Sequence, residues 1–104
     1  MNATLFLAVA AGGALGAVLR YATYLFVTKY SDMPSYFATL LVNITGSFAS
    51  GCIVALVSSS IFLSEPVRLF IVVGLLGSLT TFSTFSYDSY MLFQRQEFAI
   101  LAIY

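Results

Sequence analysis

Three long apolar runs follow one another along the chain, and they constrain its fold more than any other feature. They cover residues 4–28, 36–60 and 67–93. A transmembrane helix needs roughly 20 predominantly apolar residues, so each run is long enough to cross a bilayer. Residues 98–104 are also apolar, but as a helix they would rise only about 10 Å, which is too short to cross. We expect them to begin a fourth, truncated helix, against the alternative of a tail lying at the membrane interface.

The composition supports a membrane location. Of the 104 residues, 61% are hydrophobic and 8% are charged, whereas a soluble domain carries roughly 25% charged residues. A soluble fold of this length could not hide so much apolar surface, because small domains bury only part of their surface. The chain is therefore predicted to form one transmembrane domain, residues 1–104, in an all-α, multi-pass membrane protein surrounded by lipid.

Several classes of protein are excluded by the residues that the sequence lacks. Four basic and four acidic residues cancel to a net charge of zero, so no basic patch is expected to bind nucleic acid. The chain has no histidine, and Cys52 is its single cysteine. This excludes zinc clusters, a Cys–His nucleophile pair and a disulfide within the chain. Without a nucleophile–base pair, we do not expect an enzyme.

The stretch GLLGSLTTFSTFS, residues 74–86, places glycines and hydroxyl side chains inside the third apolar run. Glycine weakens a helix, and Ser and Thr compete for backbone hydrogen bonds. We therefore predict a break in the third helix, against the alternative of a packed, Thr/Ser-rich helix. Carbonyls freed by such a break must be buried in protein or face a cavity or an ion. Broken helices bind cations in this way in transporters.

Two phenylalanines follow the glycines of this stretch. Phe82 and Phe85 are three residues apart, so they share one face of a helix. An aromatic ring has a positive edge. Two ring edges beside a pathway can therefore stabilise an anion without holding it tightly.

A polar stripe runs along the second apolar segment. Thr39, Asn43, Ser47 and Ser50 recur at helical spacing, and such a stripe should face protein or water because polar groups are costly in lipid. Asn43 is its strongest member, since an amide offers two donors that can replace water around an anion. The alternative is that Asn43 only forms a hydrogen bond between helices.

Arg20 is the basic residue placed deepest within an apolar run. An ionisable group inside a membrane span is a candidate functional residue by default. It can pair with Asp88 near the end of the third run, or it can attract anions to a vestibule. A third alternative is that its side chain reaches the membrane interface.

Two small residues in the first apolar run predict close helix packing. Gly12 and Gly16 form a GxxxG pair, which lets helix backbones approach closely and predicts a compact bundle and a helix–helix subunit interface.

The basic residues of the loops give only a weak signal for membrane orientation. Lys29 and Arg95 would lie on one side of the membrane and Arg68 on the other. So small a bias in basic residues permits insertion in both orientations, and hence an antiparallel homodimer.

Three motifs resemble the CrcB/Fluc family of small fluoride channels. They are GGALGAVLRY at residues 12–21, ATLLVNITGSF at residues 38–48 and GLLGSLTTFSTFSYD at residues 74–88. The resemblance implies a four-helix subunit with a broken third helix, assembled as an antiparallel, dual-topology homodimer in the bacterial inner (plasma) membrane. Against the family pattern, Ala38 replaces a frequent Gly, Asp88 replaces the usual Glu, and most of the fourth helix is absent.

The resemblance also implies roles for particular residues. Asn43, Phe82 and Phe85 match the family's fluoride pathway, and Arg20 matches its helix-one arginine. The family's structural sodium ion is held at the dimer interface by backbone carbonyls, which correspond to Gly77 and Thr80. Three further residues fall near the polar pathway: Thr39, Ser83 and Thr84.

The function implied by the resemblance is passive export of fluoride from the cytoplasm, which reduces fluoride toxicity. A coupled small-ion transporter or a dual-topology multidrug exporter is the main alternative. A proton-coupled cation exporter would need an acidic residue deep in a span, and Asp88 lies near a helix end. A membrane subunit that only packs against partners fits the small-residue motifs, but it explains the polar stripe and the broken helix poorly.

Overall fold

Helices build the fold throughout residues 2–104, the part of the chain that the computed structural model describes, and no strand is present there. The elements follow in the order α1 (Ala3–Tyr30), α2 (Tyr36–Ser58), α3 (residues 65–79), α4 (Phe82–Gln94) and α5 (Phe98–Ile103). Within residues 2–104, three helical stretches are long and apolar enough to cross a membrane: α1, α2, and α3 together with α4. The predicted all-α architecture with three membrane-crossing runs is confirmed.

The ends of α1 are set by polar residues. Asn2 caps its start, because the Asn2 Oδ1 atom accepts a hydrogen bond from the Thr4 amide at 2.9 Å and so satisfies one of the first N–H groups of the helix. Lys29 lies in the last turn, where a positive charge is favourable. The backbone becomes extended at Ser31, and a short turn leads into α2.

The third helix changes its form along its length. α3 is α-helical at Glu65–Arg68, π-helical over Leu69–Leu76 and α-helical again at Gly77–Leu79. It stops at Thr80 and Thr81, whose backbones are extended with ψ angles of 153° and 123°. The interruption predicted for the third run therefore lies at these two residues, between α3 and α4.

Glycines allow α1 and α3 to cross in close backbone contact. A Cβ atom added at Gly12 would collide with the backbone of Phe70, and one added at Gly16 would collide with that of Leu75. From the α3 side, a Cβ atom at Gly74 would lie 2.7 Å from the carbonyl oxygen of Val9. Small residues permit such an approach, so the Gly12/Gly16 pair finds its partner within the chain, in α3.

Few side chains are buried inside the single chain. In the most apolar 18-residue segment of each membrane-crossing stretch, only 11% of the residues are buried inside the chain. Large apolar residues such as Phe48 and Phe62 lie on the outer surface, 74% and 86% exposed. A surface of this kind suits contact with lipid tails or with further protein. Thr39 is a buried polar side chain, 4% exposed, and it lies beside the site described next.

Candidate functional site

The break between α3 and α4 is held by a side chain from α2. Asn43 Oδ1 accepts a hydrogen bond from the Thr81 backbone N–H at 2.8 Å, and Asn43 Nδ2 donates to the Thr81 carbonyl at 3.1 Å. Helix ends leave backbone groups without intrahelical partners, and unpaired groups are costly away from water. Asn43 therefore satisfies both backbone groups of one residue. Because the two bonds need the oxygen and the nitrogen in these places, they also fix the orientation of the amide.

Threonine hydroxyls complete the two helix ends at the break. The Leu76 carbonyl accepts the Thr80 N–H at 3.1 Å, and Thr80 Oγ1 donates to the same oxygen at 3.0 Å, so the hydroxyl adds a second bond to the last turn of α3. Thr81 Oγ1 accepts a hydrogen bond from the Thr84 amide at 3.2 Å and caps the start of α4. Threonine is a favoured residue at this capping position, because its oxygen satisfies an N–H group that lacks a helical partner.

Arg20 reaches the same break from α1. Its Nε atom donates to the Ser78 carbonyl at 2.9 Å, one of the last carbonyls of α3. A positive charge is favourable at a helix C-terminus, where the backbone dipoles leave partial negative charge. Asp88, the partner considered for Arg20, instead accepts a hydrogen bond from the Tyr104 hydroxyl at 2.8 Å. The two charged residues therefore have different partners in this structure.

A groove on one side of the break brings together three residues that the sequence singled out: Asn43, Phe82 and Phe85. Its volume is about 360 Å³, and its other lining residues are Ser47, Thr80 and Thr81. The two phenylalanine rings have centroids 6.0 Å apart and are tilted by 33°. Phe82 is 80% exposed, so its ring is free to contact an ion, lipid or a second protein chain.

A second cavity lies on the α1 side of the break and has a volume of about 400 Å³. Its lining includes one arginine, two tyrosines and three threonines: Arg20, Tyr21, Tyr24, Thr39, Thr81 and Thr84. Thr81 lines both the groove and this cavity. Of the further predicted pathway residues, Thr39 and Thr84 therefore belong to the cavity rather than to the groove. Ser83 is exposed and lies 3.2 Å from the Thr81 hydroxyl.

The backbone oxygens proposed to bind a cation lie at the end of α3. In a continuous helix the Gly77 carbonyl would accept the N–H of Thr81, four residues later. That N–H donates to Asn43 instead. Gly77 is exposed and Thr80 is half-buried. Within residues 2–104, no group of three His, Cys, Asp or Glu side chains comes together, so a cation in this region would need backbone or hydroxyl oxygens.

Thr81 is one residue of the site that sequence reasoning missed. Its N–H, its carbonyl and its hydroxyl each make a hydrogen bond that holds the break. The available signal was a threonine immediately before the aromatic run that opens α4, a typical capping residue. Tyr104 was also missed, although its ring stacks on Phe85 with centroids 5.0 Å apart.

The fold and the site define a class: a small membrane protein of three bilayer-length helices, with a polar and aromatic groove at a break in the third. Residues 7–104 match the family described as "CrcB-like protein, Camphor Resistance (CrcB)". The chain belongs to this family, which confirms the resemblance that the three sequence motifs carry.

Three proteins similar to this chain are each named fluoride-specific ion channel FluC. The fluoride-specific ion channel FluC of Nitrobacter winogradskyi is 43% identical over 104 residues, which cover 100% of this chain and 82% of that protein. The FluC of Shewanella halifaxensis is 50% identical over 97 residues, 93% of this chain and 76% of that protein. The FluC of Chloroflexus aurantiacus is 44% identical over 86 residues, 83% of this chain and 68% of that protein. No solved structure matches the chain.

Proposed function

We propose that this chain is the subunit of a fluoride-selective channel that lets fluoride leave the bacterial cytoplasm passively across the inner membrane. The observation that carries the proposal is the groove at the helix break, which is lined by Asn43, Phe82 and Phe85. Relatives named as fluoride-specific channels are similar over the whole of this part of the chain.

The groove supports a mechanism in which donors without charge replace the water around fluoride. One N–H of the Asn43 amide is bonded to the Thr81 carbonyl, so the other N–H is left for an ion. The positive ring edges of Phe82 and Phe85 would accept the ion next. A channel must bind an ion strongly enough to let it in and weakly enough to let it leave. Uncharged donors satisfy both conditions better than a buried cation would.

Arg20 has a separate role in this proposal. One of its N–H groups is bonded to the end of α3, and Arg20 lines the cavity of about 400 Å³ on the α1 side of the break. The remaining N–H groups and the positive charge would raise the local concentration of anions there. Thr39 and Thr84 line the same cavity, where their hydroxyl groups would offer further donors.

A structural sodium ion is proposed at the Gly77 and Thr80 carbonyls, at the interface of an antiparallel homodimer. The residues fit the ion in one respect: the usual helical donor to the Gly77 carbonyl, the Thr81 N–H, is engaged by Asn43. Gly77 is also exposed on the single chain, as a residue at a subunit interface would be. Sodium would supply positive charge that offsets the cost of exposed backbone carbonyls.

Fluoride efflux from liposomes tests the proposal. Purified protein is reconstituted, the vesicles are loaded with potassium fluoride, and release is followed with a fluoride electrode after potassium permeability is introduced. We expect fast fluoride release, no chloride release from matched vesicles, and no requirement for a proton gradient. Flux that stops when the proton gradient is removed would favour a coupled transporter instead. Absence of any flux from correctly folded protein would contradict the channel.

A further inference from the structure

The conformation of Thr80 and Thr81 decides which backbone groups are available at the end of α3. In an uninterrupted helix each N–H donates to the carbonyl four residues earlier, so the Thr81 N–H would bind the Gly77 carbonyl. In this structure the same N–H lies 2.8 Å from Asn43 Oδ1. The acceptor on α2 has replaced the acceptor on α3.

Local sequence alone does not compel this break. Neither residue at the break is proline or glycine, and threonine costs a helix only about 0.7 kcal/mol relative to alanine. The Thr80 hydroxyl and the Thr81 cap favour the two helix ends. The contact from outside the segment that holds both backbone groups of Thr81 is Asn43.

We propose that Asn43 is a positioning residue for the cation site at Gly77 and Thr80, in addition to its place in the anion groove. By accepting the Thr81 N–H, its amide oxygen keeps the Gly77 carbonyl out of a helical hydrogen bond and leaves that oxygen for the ion. This inference rests on the sodium ion of the proposed function. If Asn43 is shortened to alanine, Thr81 loses the partner of its N–H and of its carbonyl, and we expect the Thr81 N–H to turn toward the Gly77 carbonyl.

The Asn43 amide would then act on both proposed ion sites, the cation site at Gly77 and Thr80 and the anion groove. Its oxygen acts on the cation side through the Thr81 N–H, while the Asn43 side chain also lines the groove proposed for the anion. Ser47 provides a contrast, because it lies on the same helix one turn away and lines the same groove. The hydrogen bonds at the break involve Asn43 and Arg20 but not Ser47.

Retention of sodium by the purified full chain tests the inference independently of fluoride transport. The wild-type protein and its variants are purified in detergent with ²²Na⁺ and diluted into sodium-free N-methylglucamine buffer. The rate at which protein-bound ²²Na⁺ is lost is then measured. We expect Asn43→Ala to lose sodium about tenfold faster than the wild type, the effect of roughly one hydrogen bond. The control Ser47→Ala should lose it at the wild-type rate.

A second variant separates the acceptor from the donor. Asn43→Asp keeps an oxygen for the Thr81 N–H but, when ionised, has no N–H for an anion and none for the Thr81 carbonyl. We expect it to lose sodium more slowly than Asn43→Ala, because the Thr81 N–H keeps its acceptor, while fluoride flux in liposomes falls. Equal sodium loss from Asn43→Ala and wild type, or equally fast loss from Asn43→Ala and Asn43→Asp, would overturn the inference. A wild-type protein that binds no sodium would overturn it too, and fluoride efflux by that protein would leave the channel proposal standing.

Discussion

Replacing Gly12 with alanine should weaken the fold, whereas the same change at Gly51 should not. A Cβ atom at Gly12 would lie 3.0 Å from the Leu75 nitrogen and from the Phe70 carbonyl carbon, and closer still to the Phe70 oxygen. These are backbone atoms, so no rotation of a side chain relieves the overlap. At Gly51, no atom lies within 4 Å of an added Cβ atom. Both glycines lie inside long helices.

The expected size of the effect follows from two opposing terms. Alanine is favoured over glycine in a helix by about 1 kcal/mol at either position. Overpacking costs about 1–3 kcal/mol, and we expect the upper end at Gly12 because two backbones must move apart. The net loss for Gly12→Ala is therefore about 2 kcal/mol.

The assay compares the two alanine variants in the same detergent. Protein is heated in steps, and the folded fraction is measured by size-exclusion chromatography. The expected order of unfolding midpoints is Gly51→Ala at or above wild type, with Gly12→Ala clearly below both. Equal midpoints for Gly12→Ala and Gly51→Ala would refute the close backbone contact between α1 and α3.

Substitutions at three further positions test the groove and the break. Phe82→Ile should reduce fluoride efflux from liposomes and change the free energy of unfolding by less than about 0.5 kcal/mol, because the ring is 80% exposed. Thr81→Ala should lower the free energy of unfolding in detergent by about 1 kcal/mol through loss of the α4 cap, whereas Thr81→Ser should restore it. Arg20→Gln should lose a charge-assisted hydrogen bond to Ser78, worth about 2 kcal/mol in the same measurement; a stability equal to wild type would show that this bond contributes nothing.

The membrane-crossing helices, and a break somewhere within residues 74–86, were predictable from sequence because apolar, Gly, Ser and Thr content are local properties. Hydropathy requires only a count of apolar residues along the chain. The start of α3 at Glu65, with Pro66 in its first turn, also follows a local rule. The grouping of Asn43, Phe82 and Phe85 was expected as well, although their contribution to fluoride conduction stays a prediction.

The hydrogen-bond partners at the break were not predictable, because they depend on how distant segments pack. Asn43 is 38 residues from Thr81, and Arg20 is 58 residues from Ser78. The amide of Asn43 could bind an anion or form a hydrogen bond to a neighbouring helix. The helical spacing of the polar stripe fits both alternatives, so it does not decide between them. The π-helical form of Leu69–Leu76 could not be predicted from the sequence either, because these residues form an apolar run that fits an α-helix equally well.

The break places two opposite helix ends beside each other. The C-terminus of α3 carries partial negative charge and the N-terminus of α4 carries partial positive charge, and only Thr80 and Thr81 separate them. Arg20 and the Gly77 carbonyl lie on the negative end, while Phe82 begins the positive end. A single interruption thus favours a cation on one side and an anion on the other without any buried acidic or basic pair. Asn43 bonds to Thr81 at the junction, so its amide holds the separation on which both preferences depend.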